Sequence, residues 1–423
     1  MSRSTPSGGP RNEGGKSEPI ASERAKKRVR STLPGQRLVG VRQTIPALST
    51  RTYLDSAGAG LPPLSVTRAM REFVERWSRD GERFEEWLDD ILKLRERFAE
   101  LIGARDNEVG VVPSASIGLV ELASSLDLSK RKKVVVSDLN FPSNVLLWLR
   151  MRESGLLKKV VVLRGRNGIV PLDAWERAID EETVAVAVDY VSWLSGYRER
   201  VREIADLAHR RGAVALVDAF HGVGVFPIDV KRDGVDGLVC GFYKWLCGPH
   251  GAACVFLNEE RLNSMKPAYL GWFGVKDNVI ERAQVKRDPF DIPFPVDKAE
   301  PSATAARFEW GTSAAVVVRG AVEAVKFALS TDPGSRFRVI TRRKEELITG
   351  LRRMGKKMLT PTLEESPGGG IVTFEAREHK LLVEKLAAKR IVVSGRYNHL
   401  RVSPHFYNTA EEIELLLRAL RTV

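Results

Sequence analysis

The chain has 423 residues, 43% hydrophobic and 29% charged, and a formal net charge of +13. That length holds one large domain and a smaller one, and the balance is that of a soluble globular protein. No apolar run is long enough to span a bilayer, the N-terminus lacks the apolar stretch of a secretory signal, and three cysteines are too few for a disulfide framework, so a reducing, cytoplasmic setting is expected.

The charge is unevenly spread. From Met1 to Arg42, ten Lys/Arg face three Glu, so this Gly/Ser/Pro-rich stretch carries +7 and the remaining +6 forms no obvious block. Residues 1–45 are expected to be a disordered basic tail, too poor in apolar surface to fold. The alternative is an electrostatic role on RNA, DNA or an acidic partner. No nucleic-acid motif supports it, so neither nucleic acid nor a membrane is expected as a partner.

Beyond the tail, "TYLDSAGAGLPP" (Thr52–Pro63) reads as a short extended piece entering a Gly/Pro turn. A long helical pattern follows over 64–102, with Trp77, Phe84, Trp87, Leu88, Ile91, Leu94 and Phe98 at three- and four-residue spacings. Seven short valine-rich runs come next, near Val109, Val134, Val160, Val186, Val214, Val239 and Val255. Unalternated β-branched runs suit strands buried on both faces, and the intervening helical stretches make this an α/β fold with a mostly parallel sheet. "RERVREIADLAHRRG" is an amphipathic helix stopping at Gly212. From Asn258 to Pro301 regularity fades into a long connection, a lid or dimer arm. "AVVVRGAVEAVKFAL" opens a helix, and Thr331–Val423 reads helix, strand, helix, strand, helix. The expected division is a large domain over 46–305 and a small α+β domain over 306–423.

In such a sheet the chemistry sits on loops at the carboxyl ends of strands. "CGFYKWLCGPHGAACVFL" sets Lys244 among aromatic residues: either the stem packs and the ammonium reaches water, or desolvation lowers the amine's pKa for Schiff-base chemistry. "VVPSASIGLVELASS" is a strand end opening a helix, a phosphate site or an ordinary serine cap. In "SDLNFPSNVLLW", Phe141 is a platform for a planar ring or a staple onto the next helix. In "LVDAFHGVG", Asp218 ends a buried strand with His221 three residues on, and a buried carboxylate needs a partner. In "GRYNHLRVSPHFYN", Arg401 in an extended apolar run fits a clamp on a carboxylate. Cys240, Cys247 and Cys254 recur at intervals of seven, which is not a zinc pattern, and read as strand-borne packing residues. No metal is expected.

In their order, "YLDSAGAGLPP", "VDAFHGVGVFPIDV", "GFYKWLCGPHGAACVFL", "RFEWGT" and "LRVSPHFYNTAEEIE" resemble the class V aminotransferase family of fold type I pyridoxal-phosphate enzymes, from about Tyr53 to Val423. That family includes cysteine desulfurases, selenocysteine lyases, kynureninase and isopenicillin-N-epimerase-like proteins. The resemblance implies a pyridoxal 5'-phosphate cofactor joined to Lys244. It implies that Asp218 pairs with the pyridine nitrogen, His221 lies near the phenolic oxygen and Phe141 stacks on the ring. Ala115, Ser116 and Tyr243 then hold the phosphate, with Gly311 and Thr312 reaching the partner's phosphate in a homodimer. Arg401 binds the substrate carboxylate, with Ala57 and Trp193 beside it.

Three departures stand out. Trp193 replaces an asparagine near the phenolic oxygen, Gly241 replaces a phosphate-binding serine, and the loop "VVSGRYNHLR" lacks the desulfurases' nucleophilic cysteine. The expected activity is transamination, or lyase or epimerase chemistry without a cysteine, on an amino acid. Kynureninase-like or desulfurase-like cleavage is the alternative, and a non-catalytic protein using its basic tail on nucleic acid is the rival of another class.

Overall fold

The computed structural model describes residues 40–81, 83–285, 297–361 and 368–422. The expected basic tail through residue 39 and the middle of the 258–301 connection lie outside the described residues. Residues 40–45, inside the stretch assigned to the tail, are structured: Arg42 lies bidentate on Glu412 at 2.9 and 3.0 Å and starts the first of two short 3-10 turns.

A two-residue strand, β1 (Thr52–Tyr53), leads into the helical region. The expected single helix is two, Leu64–Asp80 and Phe84–Ile102. Gly81 takes φ +79°, a conformation costly for residues with a Cβ, and its N–H closes the first helix on Trp77 O at 3.0 Å. Apolar periodicity runs across that joint, so it does not reveal the break.

All seven valine-rich runs are strands: β2 (Val109–Val112), β3 (Lys133–Ser137), β4 (Lys159–Leu163), β5 (Thr183–Asp189), β6 (Val214–Asp218), β7 (Gly237–Gly241) and β8 (Ala253–Leu257). They form one sheet in the order β2-β8-β7-β6-β5-β3-β4, in which β8 alone runs antiparallel to its neighbours. Period-two alternation sends Val135, Val186, Val217 and Leu238 to one face and Val134, Val136, Ala187, Leu216 and Val239 to the other. The first face packs on Trp87, Ile91, Phe98, Trp175, Ile204 and Val325, the second on Leu119, Leu122 and Trp148. Each fully buried valine contributes about 1.5–3 kcal/mol, and burial on both faces is why polar residues fall only at the ends of these strands.

The C-terminal segment departs from the expected order in having three short strands, not one, before its last helix. Helix Pro333–Arg353, β9 (Val372–Glu375), helix His379–Ala388, β10 (Ile391–Val392), β11 (Ser394–Arg396), β12 (His399–Val402) and helix Ala410–Thr422 close around Leu347, Leu351, Phe374, Leu400 and Leu416. The expected boundary at 306 differs from the packing. Helix Ala315–Leu329 buries Val318, Val322 and Val325 in the large core, whereas Leu54 belongs to the small one and β1 pairs with β10. Covalent order and packing part here because an N-terminal strand crosses to the C-terminal domain. The described flanks of the 258–301 connection hold a 3-10 turn at Glu259–Arg261 and a helix at Val279–Gln284. Among the described residues no helix is long and apolar enough to cross a membrane.

Candidate active site

Strands β5, β6 and β7 run parallel and end side by side, so their last residues share one edge of the sheet. Asp189 closes β5, Asp218 closes β6, and the two are register partners. The chain then leaves β7 at Gly241 and turns through Lys244 before returning as β8. Gly248 N–H on Phe242 O (2.8 Å) and Cys247 N–H on Lys244 O (3.1 Å) close that turn. The N-terminal segment lies against it: Gly60 N–H donates to Tyr243 O at 2.7 Å, and a Cβ at position 60 would collide with Lys244 O.

Lys244 is 6% exposed. Its Nζ stands 4.2 Å from the Phe220 ring centroid, 5.3 Å from Phe141 and 6.0 Å from Tyr243. Burial, aided by the charge of Arg401, pushes its pKa down to about 8, against the pull of Asp218, Asp189 and Cys240. A neutral amine is therefore accessible near neutrality, as the chemical reading of this lysine requires. Its Nζ is 3.0 Å from His221 Nε2.

Asp218 is buried and accepts a hydrogen bond from Phe220 N–H at 2.9 Å. Burial raises its pKa, opposed by that amide and by Lys244. Asp189 is raised well above the carboxylate range by burial and then by the charge of Asp218, although Asn144 Nδ2 (2.9 Å) and Phe141 N–H (2.5 Å) donate to it. Two carboxylates at adjoining buried strand ends favour a cation between them. Asp189 and Asn144 were not singled out in the sequence, because "TVAVAVDYV" reads only as a buried strand and its neighbour in the sheet is a distant segment.

The structure gathers most of the other predicted residues around this edge. Phe141, 37% exposed, meets Trp193 edge-on at 5.6 Å, and Trp193 Nε1 donates to Asn140 O at 3.1 Å. Ala115 and Ser116 begin helix Ala115–Ser124, capped by Ser114 Oγ on Ile117 N–H, and Ser116 Oγ meets Ser143 Oγ at 3.0 Å. The serine cap of that turn is thus Ser114, and Ser116 beside it is left on Ser143. Tyr243 stacks on His250 at 4.0 Å. The space that a larger residue at Gly241 would need is filled by the Phe220 ring.

Arg401 on β12 is buried and donates to Trp193 O (3.1 Å), Ser394 Oγ (3.2 Å) and Asp55 Oδ1 (3.4 Å). Desolvation, with the Arg396 charge, lowers its pKa to about 10 while Asp55 opposes the shift. Ala57 N–H is held by Ser403 Oγ at 2.9 Å. Gly311 packs beside Trp272 and Thr312 is exposed. Among the described residues, the hydrogen bonds and ring contacts that tie the other predicted residues together do not include these two.

The cysteines correct one detail. Cys240 and Cys254 face each other on β7 and β8, but Cys247 sits in the lysine turn at φ +56°, 3.9 Å from His405 Nε2. All three are buried and free, and burial lifts the Cys247 thiol to about 12 and the other two well above their ordinary value. Among the described residues no His/Cys/Asp/Glu group could hold a metal ion.

The residues present fit a phosphorylated pyridine aldehyde. Lys244 offers an amine with a lowered pKa, Asp218 a buried carboxylate suited to a protonated ring nitrogen, and Ala115–Ser116 a helix start suited to phosphate. An α/β sheet with this edge defines a fold type I pyridoxal-phosphate enzyme. Residues 52–416 match the family model of "Aminotransferase class-V". The chain belongs to that family, is an enzyme of its class and uses pyridoxal 5'-phosphate.

Among its relatives, an uncharacterized aminotransferase, YcbU, of Bacillus subtilis (strain 168) is 31% identical over 375 residues, covering 88% of this chain and 94% of that one. A probable cysteine desulfurase of Methanothermobacter thermautotrophicus is 28% identical, covering 90% and 97%. A kynureninase of Pseudomonas fluorescens is 27% identical, covering 83% and 82%. The apo structure of a cysteine desulfurase from Thermococcus onnurineus NA1 superposes with a TM-score of 0.79 at 22% identity, over 93% and 98% of the two chains, a likeness of fold.

Proposed function

We propose that this enzyme acts at the Cα–H bond of an α-amino acid, with Lys244 as the amine that binds the cofactor and then moves the proton, and with no protein thiol taking part. The observation that carries this reading is the pairing of a desolvated Lys244 amine with three cysteines whose thiols are buried and pushed toward the protonated form. Pyridoxal phosphate, when bound, supplies the electron sink for charge released at Cα. Asp218 would hold a proton on the ring nitrogen, and Phe141 would offer a flat face to the ring. Arg401 receives the substrate carboxylate with Ala57 and Trp193 at its flank, which orients Cα toward Lys244 Nζ. Nζ takes the α-proton and returns it to whichever carbon the reaction requires. Aromatic walls exclude water around the amine.

Amine exchange, Cys-independent elimination and epimerisation share these steps. A second reading, kynureninase-like cleavage, has its own support: Phe141, Trp193 and Tyr397 form a row of rings, 5.6 and 6.0 Å apart, suited to an aryl side chain. Gly311 and Thr312, absent from the cluster, are suited to a partner subunit's phosphate in a homodimer. Incubating the holoenzyme with a panel of amino acids, with keto acid, alanine, sulfide, anthranilate and D-isomer as readouts, tests the proposal. Keto acid or D-isomer supports the first reading and anthranilate the second, whereas sulfide release lost on replacing one cysteine contradicts both.

A further inference from the structure

His221 and Trp245 form a relay that the cofactor's own requirements do not explain. The Trp245 indole N–H can only donate, and its Nε1 lies 3.2 Å from His221 Nδ1, so Nδ1 presents a lone pair. Burial, reinforced by the charges of Arg401 and Arg396, holds the His221 pKa well below its ordinary value, so the ring is neutral and carries one proton. That proton is on Nε2, which faces Lys244 Nζ at 3.0 Å.

Trp245 is itself fixed from the small domain. Burial pushes the His405 pKa down to about 3, which keeps the ring neutral, and because its Nδ1 accepts Phe406 N–H at 2.8 Å, its Nε2–H donates to Trp245 O at 2.9 Å. A Cβ on Gly370 would strike the indole ring, so position 370 stays open for it.

We propose that Trp245 is a positioning residue: its indole N–H locks His221 as the Nε2–H tautomer, so that His221 donates to the reactive nitrogen of Lys244. This rests on the assignment of Lys244 as the reacting amine. The polarity runs Trp245 to His221 to Lys244, and a donor at that place favours the amine with its lone pair free. With the opposite tautomer, Nε2 would accept from an ammonium and favour the charged lysine.

The test is selective 15N-histidine labelling of the full-length, cofactor-free protein, whose six histidines are assigned with His221→Gln. The expected spectrum gives His221 a protonated Nε2 and a lone-pair Nδ1. In Trp245→Phe, which keeps a ring but deletes the N–H, the two nitrogens move toward averaged shifts. The Lys244 pKa, read from the pH dependence of reductive methylation, rises above about 8. A merely structural role would lower the melting temperature and leave the proton on Nε2. A wild-type His221 protonated on Nδ1, or a Trp245→Phe protein with an unchanged tautomer, overturns the proposal. If Trp245→Phe does not fold, the wild-type spectrum decides alone. Borohydride labelling of a lysine other than Lys244 would instead contradict the assignment beneath it.

Discussion

Two buried lysines, one in each domain, carry the same depressed pKa. Lys244 in the turn after β7 and Lys344 on helix Pro333–Arg353 are both pushed to about 8, chiefly by burial. The opposing pulls differ: two strand-end carboxylates and Cys240 act on Lys244, and Glu345 acts on Lys344. Lys244 also has His221 at 3.0 Å and three aromatic rings around it, on the edge where parallel strands end. The comparison shows that a lowered amine pKa does not make a site. Convergence of several elements on one atom does, and the edge where β5, β6 and β7 end provides it around Lys244.

The comparison breaks most sharply under substitution. Lys244→Ala removes both the cofactor linkage and the proton carrier, so turnover falls by at least the 10²–10⁴-fold typical of a lost general base, about 3–5 kcal/mol. Circular dichroism should show the fold retained. Lys344→Met leaves turnover within about twofold, roughly 0.4 kcal/mol of barrier. A comparable loss in both would erase the distinction.

Asp218→Asn keeps shape and loses charge, and kcat should drop about 10²–10³-fold, on the scale of one lost electrostatic partner. Near-normal turnover would remove Asp218 from its role. Arg401→Ala should raise KM about 10–150-fold, the roughly 1.5–3 kcal/mol of hydrogen bonds to a charged group, with kcat less affected. A loss confined to kcat would instead assign Arg401 to the structure through Asp55 and Trp193. The smallest effect is expected from replacing Cys240, Cys247 and Cys254 together by Ser or Ala: turnover within about tenfold, roughly 1.4 kcal/mol. Abolition of activity with cofactor binding intact would restore a thiol to the mechanism.

How legible this was in the sequence follows from distance along the chain. The strands were visible because each is a local valine run, and Lys244, Asp218 and Arg401 because each breaks an apolar pattern where a buried charge needs a reason. Asp189 was hidden, since its meaning depends on β5 lying beside β6. Asp55 on Arg401 joins residues 346 apart in sequence, and no local pattern announces such a pair. The His221–Trp245 bond was hidden for a related reason: His221 stands out in the sequence, but Trp245 reads there only as part of the aromatic setting of Lys244. The division of the long helical pattern is different: Gly81 was in plain view, but periodicity that continues across a break outweighs a single residue.

The central claim is that Lys244, and not another lysine of similar pKa, is the reacting amine. Borohydride reduction of the holoenzyme across pH 7–9, followed by peptide mapping, tests it most directly. The account predicts cofactor trapped on the peptide containing Tyr243–Trp245 and none on the peptide containing Lys344. In the cofactor-free protein, reconstitution should quicken as pH rises through about 8, where the Lys244 amine loses its proton. Label on Lys344, or on any lysine away from the Asp218 edge, would contradict it.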